Sequence, residues 1–267
     1  MAARGSTPEA AADLPNPGRP ASVPEHTLLR PIASGSYGVV WLAHNVVGTP
    51  RAVKIVRRDH FERAEDFERE FKGLQKFEPV SRSHEGLVDI LSLGLLPDEA
   101  GFYYVMELAD AAPSASEQGP IHDIRSEASG SEAAPLGTDP RIPGYLPLTL
   151  RAHFRARGAL PAGEVLALGG ALAAALAHLH GLGLVHRDIK PSNILFVGGV
   201  PKLADAGLVA AVDDARSLVG TAGYLAPEGT GSPRADLYAL GKVLYEAAFG
   251  KDRQSFPQLP SDLATRP

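Results

Sequence analysis

The run His186-Arg187-Asp188-Ile189-Lys190-Pro191-Ser192-Asn193 places an acid, a lysine and an amide at fixed spacing, and Asp205-Ala206-Gly207 begins twelve residues after Asn193. These residue types suit phosphoryl transfer. A carboxylate such as Asp188 can orient a hydroxyl, an ammonium such as Lys190 can neutralise charge near the moving phosphoryl, and Asn193 and Asp205 offer oxygen donors to magnesium. Such side chains work only if other elements hold a triphosphate against them.

Those elements are sought upstream. Leu28–Ile32 and Gly38–Ala43 read as two strands around the turn Ala33-Ser34-Gly35-Ser36-Tyr37, and Arg51–Val56 reads as a third. Glycines in such a turn let backbone N–H groups approach phosphate, although the same residues also suit an ordinary hairpin turn. Lys54 lies between apolar neighbours in Ala52-Val53-Lys54-Ile55. It is either a phosphate-binding cation or a solvated lysine on an edge strand. From Phe61 to Phe77 the period becomes helical. Phe67, Glu70, Leu74 and Phe77 share one face, whereas Glu68 falls with Lys72 and Gln75 on a polar face. A carboxylate on an apolar stripe is costly unless paired, so Glu70 is expected either to pair with Lys54 or to reach water at the stripe edge. Strands are also expected near Val88–Leu95 and Phe102–Leu108, with helices over Leu150–Arg157, Ala162–Leu182 and Pro233–Phe249.

Together, Ala33 to Val40, Ala52-Val53-Lys54-Ile55, Glu70, His186 to Asn193, Asp205-Ala206-Gly207 and Gly220-Thr221-Ala222-Gly223-Tyr224-Leu225-Ala226-Pro227-Glu228 resemble the eukaryotic-like, bacterial-type serine/threonine protein kinases over residues 27 to about 257. The resemblance implies an α+β, bilobal kinase-like fold: a five-stranded N-lobe sheet with one helix, and a mainly helical C-lobe that looks truncated at its C-terminus. It implies ATP and Mg2+ as cofactors and Ser/Thr hydroxyls of a protein as acceptor. In the catalytic loop it assigns Asp188 to the hydroxyl and Lys190 to the γ-phosphoryl, with Asn193 and Asp205 as metal ligands. For ATP it implies Ile32, Ala33, Ser34, Gly35, Ser36, Tyr37, Gly38 and Val40 in the phosphate-binding turn, Ala52 and Lys54 on the third strand, and Glu70 as the partner of Lys54. Met106 takes the position behind the adenine, the backbone of Glu107 and Ala109 bonds its edge, and Leu195 forms its floor. In the activation segment, Thr221 would contact Asp188 and Lys190, Ser217 and Thr221 are candidate self-modification sites, and Glu228 would lack its usual arginine partner. His186 is a structural residue of the loop, and Asp236 is expected to brace it through backbone N–H groups.

Two departures mark this chain. Ala33 replaces the first glycine of the turn, and Ala206 replaces the phenylalanine usually found between Asp205 and Gly207. They keep a non-catalytic, kinase-like binding module in view. A small-molecule phosphotransferase is opposed by Lys190 and by the Gly220–Glu228 segment.

Bulk composition bounds the rest. The 267 residues carry a formal net charge of −5 and no cysteine, which excludes disulfides and thiolate metal sites and suggests no nucleic-acid partner. The apolar stretch Val165–Ala177 is shorter than a bilayer span and reads as a core helix. The Met1–Ser6 start has no apolar run, so no signal peptide is read there, and the expected location is cytoplasmic. Residues 1–24 read as a disordered leader and 25–267 as the kinase-like domain: N-lobe 25–110, a disordered hinge insert 111–148 and a partial C-lobe 149–267.

Overall fold

Strand alternation explains how a lysine comes to be buried. The computed structural model describes residues 22–35, 38–97, 100–113, 144–205, 210–211, 220–229 and 231–259. In it, β1 (His26–Gly35), β2 (Gly38–Asn45), β3 (Pro50–Arg57), β4 (Ile90–Leu95) and β5 (Gly101–Met106) form an antiparallel sheet in the order β1-β2-β3-β5-β4. Successive side chains point to opposite faces. On β3, Val53 and Ile55 pack on the outer face with Trp41, Tyr103 and Val105. Ala52, Lys54 and Val56 therefore face inward, toward α1 (Ala64–Ser81) and the second lobe.

Helix α1 follows the expected face. Phe67, Glu70, Leu74 and Phe77 are buried, and Glu68 is exposed. Phe67 and Phe71 stack against Phe102 of β5, which fixes the helix on the sheet. Each such aromatic pair is worth about 0.5–1.5 kcal/mol beyond its buried area.

The second lobe is built from α2 (Leu150–Arg157), α3 (Ala162–Gly181), the short strands β6 (Leu184–Val185), β7 (Ile194–Val197), β8 (Val200–Leu203) and β9 (Ala210–Ala211), and α4 (Pro233–Phe249). Thr149 caps α2 by accepting from the Ala152 N–H at 3.0 Å, and Ser232 caps α4 ahead of Pro233. With a five-stranded sheet and one helix in one lobe and helices dominating the other, the bilobal arrangement matches the expected fold class.

Three boundaries differ from the sequence reading. First, Val23 is 4 % exposed, bridges to His26 and packs with Trp41, so the fold includes residues of the expected leader 1–24; residues 1–21 lie outside the described residues. Second, both ends of the expected insert 111–148 belong to the fold. Ala111 bridges to Pro147, the Ala112 N–H donates to the Leu146 carbonyl at 2.8 Å, and Tyr145 is buried. The composition of the whole stretch hid its ends, because a few paired backbone groups need no apolar periodicity. Residues 114–143 lie outside the described residues. Third, α3 has 20 residues and is long and apolar enough to cross a bilayer by length and composition, so the short-stretch argument does not hold. In the fold, its Leu168, Leu172, Leu176 and Leu179 enter the core shared with Leu240 and Val243 of α4.

Candidate catalytic cleft

A single buried carboxylate organises the floor of the cleft between the lobes. Asp236, in the first turn of α4, accepts the N–H groups of His186 and Arg187 at 2.8 Å each and contacts His180 Nε2 at 2.9 Å. These bonds fix the bend at Arg187, whose φ of 73° lies in the left-handed region. A non-glycine residue there costs on the order of 1–3 kcal/mol, and it persists where surrounding contacts over-determine it. His186 adds a contact from Nε2 to the Ala204 carbonyl at 3.1 Å, tying the loop to the strand end that carries Asp205.

The bend aims Asp188 into the cleft, where donors converge on it. Asn193, brought back by a 3-10 turn over Pro191–Asn193, donates from Nδ2 to Asp188 Oδ2 at 2.8 Å and to the Asp188 carbonyl at 3.0 Å. Lys190 Nζ stands 2.7 Å from Asp188 Oδ2 and donates to Thr221 Oγ1 at 2.7 Å. Thr221 Oγ1 in turn donates to Asp188 Oδ1 at 2.7 Å. Acid, amide, lysine and threonine thus form one connected group.

The roof presents Lys54, Glu70, Tyr104 and Asp205. Here the expected pairing is corrected: Lys54 Nζ donates to Asp205 Oδ1, and among the described residues neither Glu70 oxygen has a hydrogen-bond partner. Glu70 is on the predicted face and 3 % exposed, but it acts on Lys54 only through space. Helical periodicity fixes which way a side chain points, and the competing acid came from a loop 151 residues away. Burial alone would lower the Lys54 pKa; the negative charge and hydrogen bond of Asp205, helped by the Glu70 carboxyl, more than reverse this and hold it above its ordinary value. Burial pushes Asp205 up, but the charge and hydrogen bond of Lys54 outweigh it and keep the carboxyl below its usual range.

Burial pushes the Glu70 carboxyl up to about 7 against the opposing pull of Lys54. A carboxyl with a raised native pKa binds its proton more tightly folded than unfolded. Its contribution is present at low pH and is lost as the pH rises toward and through about 7. Glu70→Gln is neutral throughout. Its stability advantage over the parent chain is expected to widen by on the order of 2–3 kcal/mol between pH 5 and pH 8, read from urea melts. A pH-independent difference would show that Glu70 stays ionised.

The cleft has a volume of about 640 Å³. Its walls include the expected Ile32, Ala33, Ser34, Gly35, Val40, Ala52, Lys54, Glu70, Met106, Glu107, Ala109, Asp188, Lys190, Asn193, Leu195, Asp205 and Thr221. Gly38 is elsewhere: a Cβ on it would come within 2.2 Å of the Ile55 carbonyl, so β2–β3 packing requires the glycine. Glu228, expected to lack its usual arginine partner, is exposed, so an unpaired carboxylate at this position carries no burial cost. Ser36, Tyr37, Ala206, Gly207 and Ser217 lie outside the described residues.

Sequence reasoning missed Tyr104, Tyr145, Pro147 and Thr149, all of which line the cleft. Tyr145 was hidden by the low-complexity sequence before it. Its hydroxyl donates to the Ala109 carbonyl at 2.9 Å, and its own carbonyl accepts from Arg30 Nη2 at 2.6 Å. The hinge is further held by Glu107, which accepts from the Asp89 N–H at 2.8 Å and from Lys202 Nζ at 2.6 Å.

The donor set suits a hard cation shared with phosphate. Asn193 spends its Nδ2 on Asp188, which leaves Oδ1 as its ligand atom, and the Asp205 carboxylate lines the same cleft. Among the described residues no group of three or more His, Cys, Asp or Glu could cage a metal by itself. That composition fits magnesium, which usually takes one or two protein carboxylates together with water and substrate phosphates.

Residues 145–258 match the model of the protein kinase domain. The chain is 28 % identical over 244 residues to the probable serine/threonine-protein kinase PkwA of Thermomonospora curvata, covering 88 % of this chain and 28 % of that protein. It is 28 % identical over 238 residues to the serine/threonine-protein kinase PrkC of Bacillus subtilis, covering 85 % and 30 %. With PknL of Mycobacterium tuberculosis it shares 44 % over 112 residues, covering 38 % and 28 %. The matched part spans less than a third of the length of each of these relatives.

Proposed function

We propose that this chain, which is similar to bacterial serine/threonine-protein kinases and matches the protein kinase domain over residues 145–258, transfers the γ-phosphoryl group of ATP to Ser or Thr hydroxyls of proteins, with Mg2+ as cofactor. The observation that carries this reading is the connected group Asp188–Lys190–Asn193–Thr221 at the mouth of the cleft that also holds Lys54 and Asp205. In it, Asp188 orients the acceptor hydroxyl and takes its proton, and Lys190 neutralises charge on the transferred group. Lys54 bonds phosphate oxygens, with Asp205 and Glu70 keeping it charged. Asn193 and Asp205 hold magnesium, which supplies charge neutralisation to the phosphates. The hinge carries the base: Met106 behind it, Leu195 below it, and the Glu107 carbonyl and Ala109 N–H along its edge. Ile32, Ala33, Ser34, Gly35, Val40 and Ala52 close over the nucleotide.

The region from Val23 onward acts as this kinase domain, with its catalytic segment facing protein substrates in the cytoplasm. Since the Thr221 hydroxyl is spent on Asp188, self-modification falls on Ser217 rather than Thr221.

Incubation with radiolabelled Mg-ATP and a mixed protein acceptor, followed by phosphoamino-acid separation, tests the reading. Phosphoserine and phosphothreonine are expected. Phosphotyrosine as the main product, or nucleotide binding with no transfer, would overturn it; the latter favours the non-catalytic module.

A further inference from the structure

Immediately after α4, residues 251–258 fold back against the Thr221–Tyr224 turn. Phe256 packs edge-on against Tyr245 and Tyr238, with centroids 5.5 and 6.1 Å away, and Tyr245 Oη donates to the Gln258 carbonyl at 2.7 Å. These contacts moor the segment on α4. Arg253 is thereby set under the turn. Its backbone N–H donates to Glu246 Oε1 at 3.0 Å, its guanidinium lies 3.8 Å from the same oxygen, and its Cζ stacks 5.0 Å from the centre of the Tyr224 ring.

The turn is gripped from several sides. Tyr224 Oη donates to Glu246 Oε2 at 2.9 Å, and Glu246 is 5 % exposed. Lys242 Nζ donates to the Gly223 carbonyl at 2.8 Å. Gly223 has a φ of 92°, and a Cβ there would come within 2.4 Å of Arg253 Nε, so Arg253 fills the space that a side chain would need. The turn closes with the Tyr224 N–H on the Thr221 carbonyl at 3.1 Å. Thr221 is the residue that bonds Asp188 and Lys190.

We propose that Arg253 is a positioning residue for phosphotransfer: through Tyr224 and Glu246 it fixes the Thr221–Tyr224 turn, and thereby the place where the acceptor peptide meets Asp188. Arg253 does not line the cleft, so nucleotide binding is independent of it. The guanidinium has two tasks, neutralising the buried Glu246 and covering one face of the Tyr224 ring. Lysine can supply the first with little of the second. This assignment rests on the kinase reading above.

The test compares the full chain with Arg253→Ala and Arg253→Lys. Three quantities are read: kinetics on a degenerate Ser/Thr peptide library at saturating Mg-ATP, Mg-ATP affinity by titration, and amide hydrogen exchange across residues 220–229. Arg253→Ala is expected to lower kcat/KM for peptide by tenfold or more, with Mg-ATP affinity within twofold and faster exchange at Tyr224. Arg253→Lys is expected to recover part of the peptide kinetics. Unchanged exchange over 220–229 overturns the proposal, as does a loss of Mg-ATP affinity parallel to the loss of transfer. If the unaltered chain binds Mg-ATP but transfers nothing, the kinase reading fails by itself. Hydrogen exchange then still decides whether Arg253 holds the turn.

Discussion

Asp188→Asn is expected to lower the phosphotransfer rate by a factor of about 10²–10⁴ while leaving Mg-ATP affinity within about twofold, since a positioned general base contributes roughly that much. The asymmetry follows from where Asp188 sits. Its oxygens meet Lys190, Asn193 and Thr221, and none of its bonds reaches Lys54 or the hinge. Asparagine can keep the local network. Its amide oxygen can accept from Lys190 and Asn193, and its NH2 can turn toward Thr221 Oγ1, because a hydroxyl also accepts. The amide cannot take up the acceptor proton. Single-turnover transfer, nucleotide titration and a thermal melt on the same preparation separate these effects. A variant that transfers at the parental rate would remove Asp188 from the chemistry. One that loses Mg-ATP affinity and melts early would make it a structural acid.

Asp236→Ala has the largest expected effect on stability. It leaves the N–H groups of His186 and Arg187 buried without their acceptor, and it releases the left-handed bend at Arg187. Removing one side of a buried, charged hydrogen-bond network costs about 3–5 kcal/mol. For a chain of this size that lowers Tm by on the order of 10 °C. Because the same bend aims Asp188, transfer should fall with stability even at temperatures where the variant stays folded. Asp236→Asn should be intermediate, since one amide oxygen can serve only part of the site. A variant melting within about 2 °C of the parent chain would mean that the loop holds its shape unaided.

The readable part of the cleft lay where chemistry constrains residue type over a short stretch. Asp188, Lys190 and Asn193 span six positions, and local backbone geometry alone brings Asn193 onto Asp188. The burial of Glu70 and the exposure of Glu68 were also legible, because a helix of about 3.6 residues per turn assigns faces by counting. The spans read for α2 and α4, Leu150–Arg157 and Pro233–Phe249, are also the observed ones.

What could not be counted was which group meets which. Glu70 was correctly placed on the buried face, yet the carboxylate that bonds Lys54 belongs to Asp205, and Glu70 is held by its apolar surroundings as a carboxyl with a raised pKa. Tyr145 reads as the end of a featureless insert, and only the approach of β1 and the hinge makes it part of the cleft wall. Arg253 reads as one charge in a proline-rich tail, and only the packing of Phe256 on α4 brings it beneath Tyr224. The sequence by itself therefore determined the residue types, their local spacing and the faces they occupy, since these depend on backbone periods and short turns. Tertiary structure alone decided that Lys54 pairs with Asp205 rather than Glu70, and where the edges of the cleft lie. Those contacts join elements far apart in the chain, and their formation depends on how whole lobes pack and exclude water.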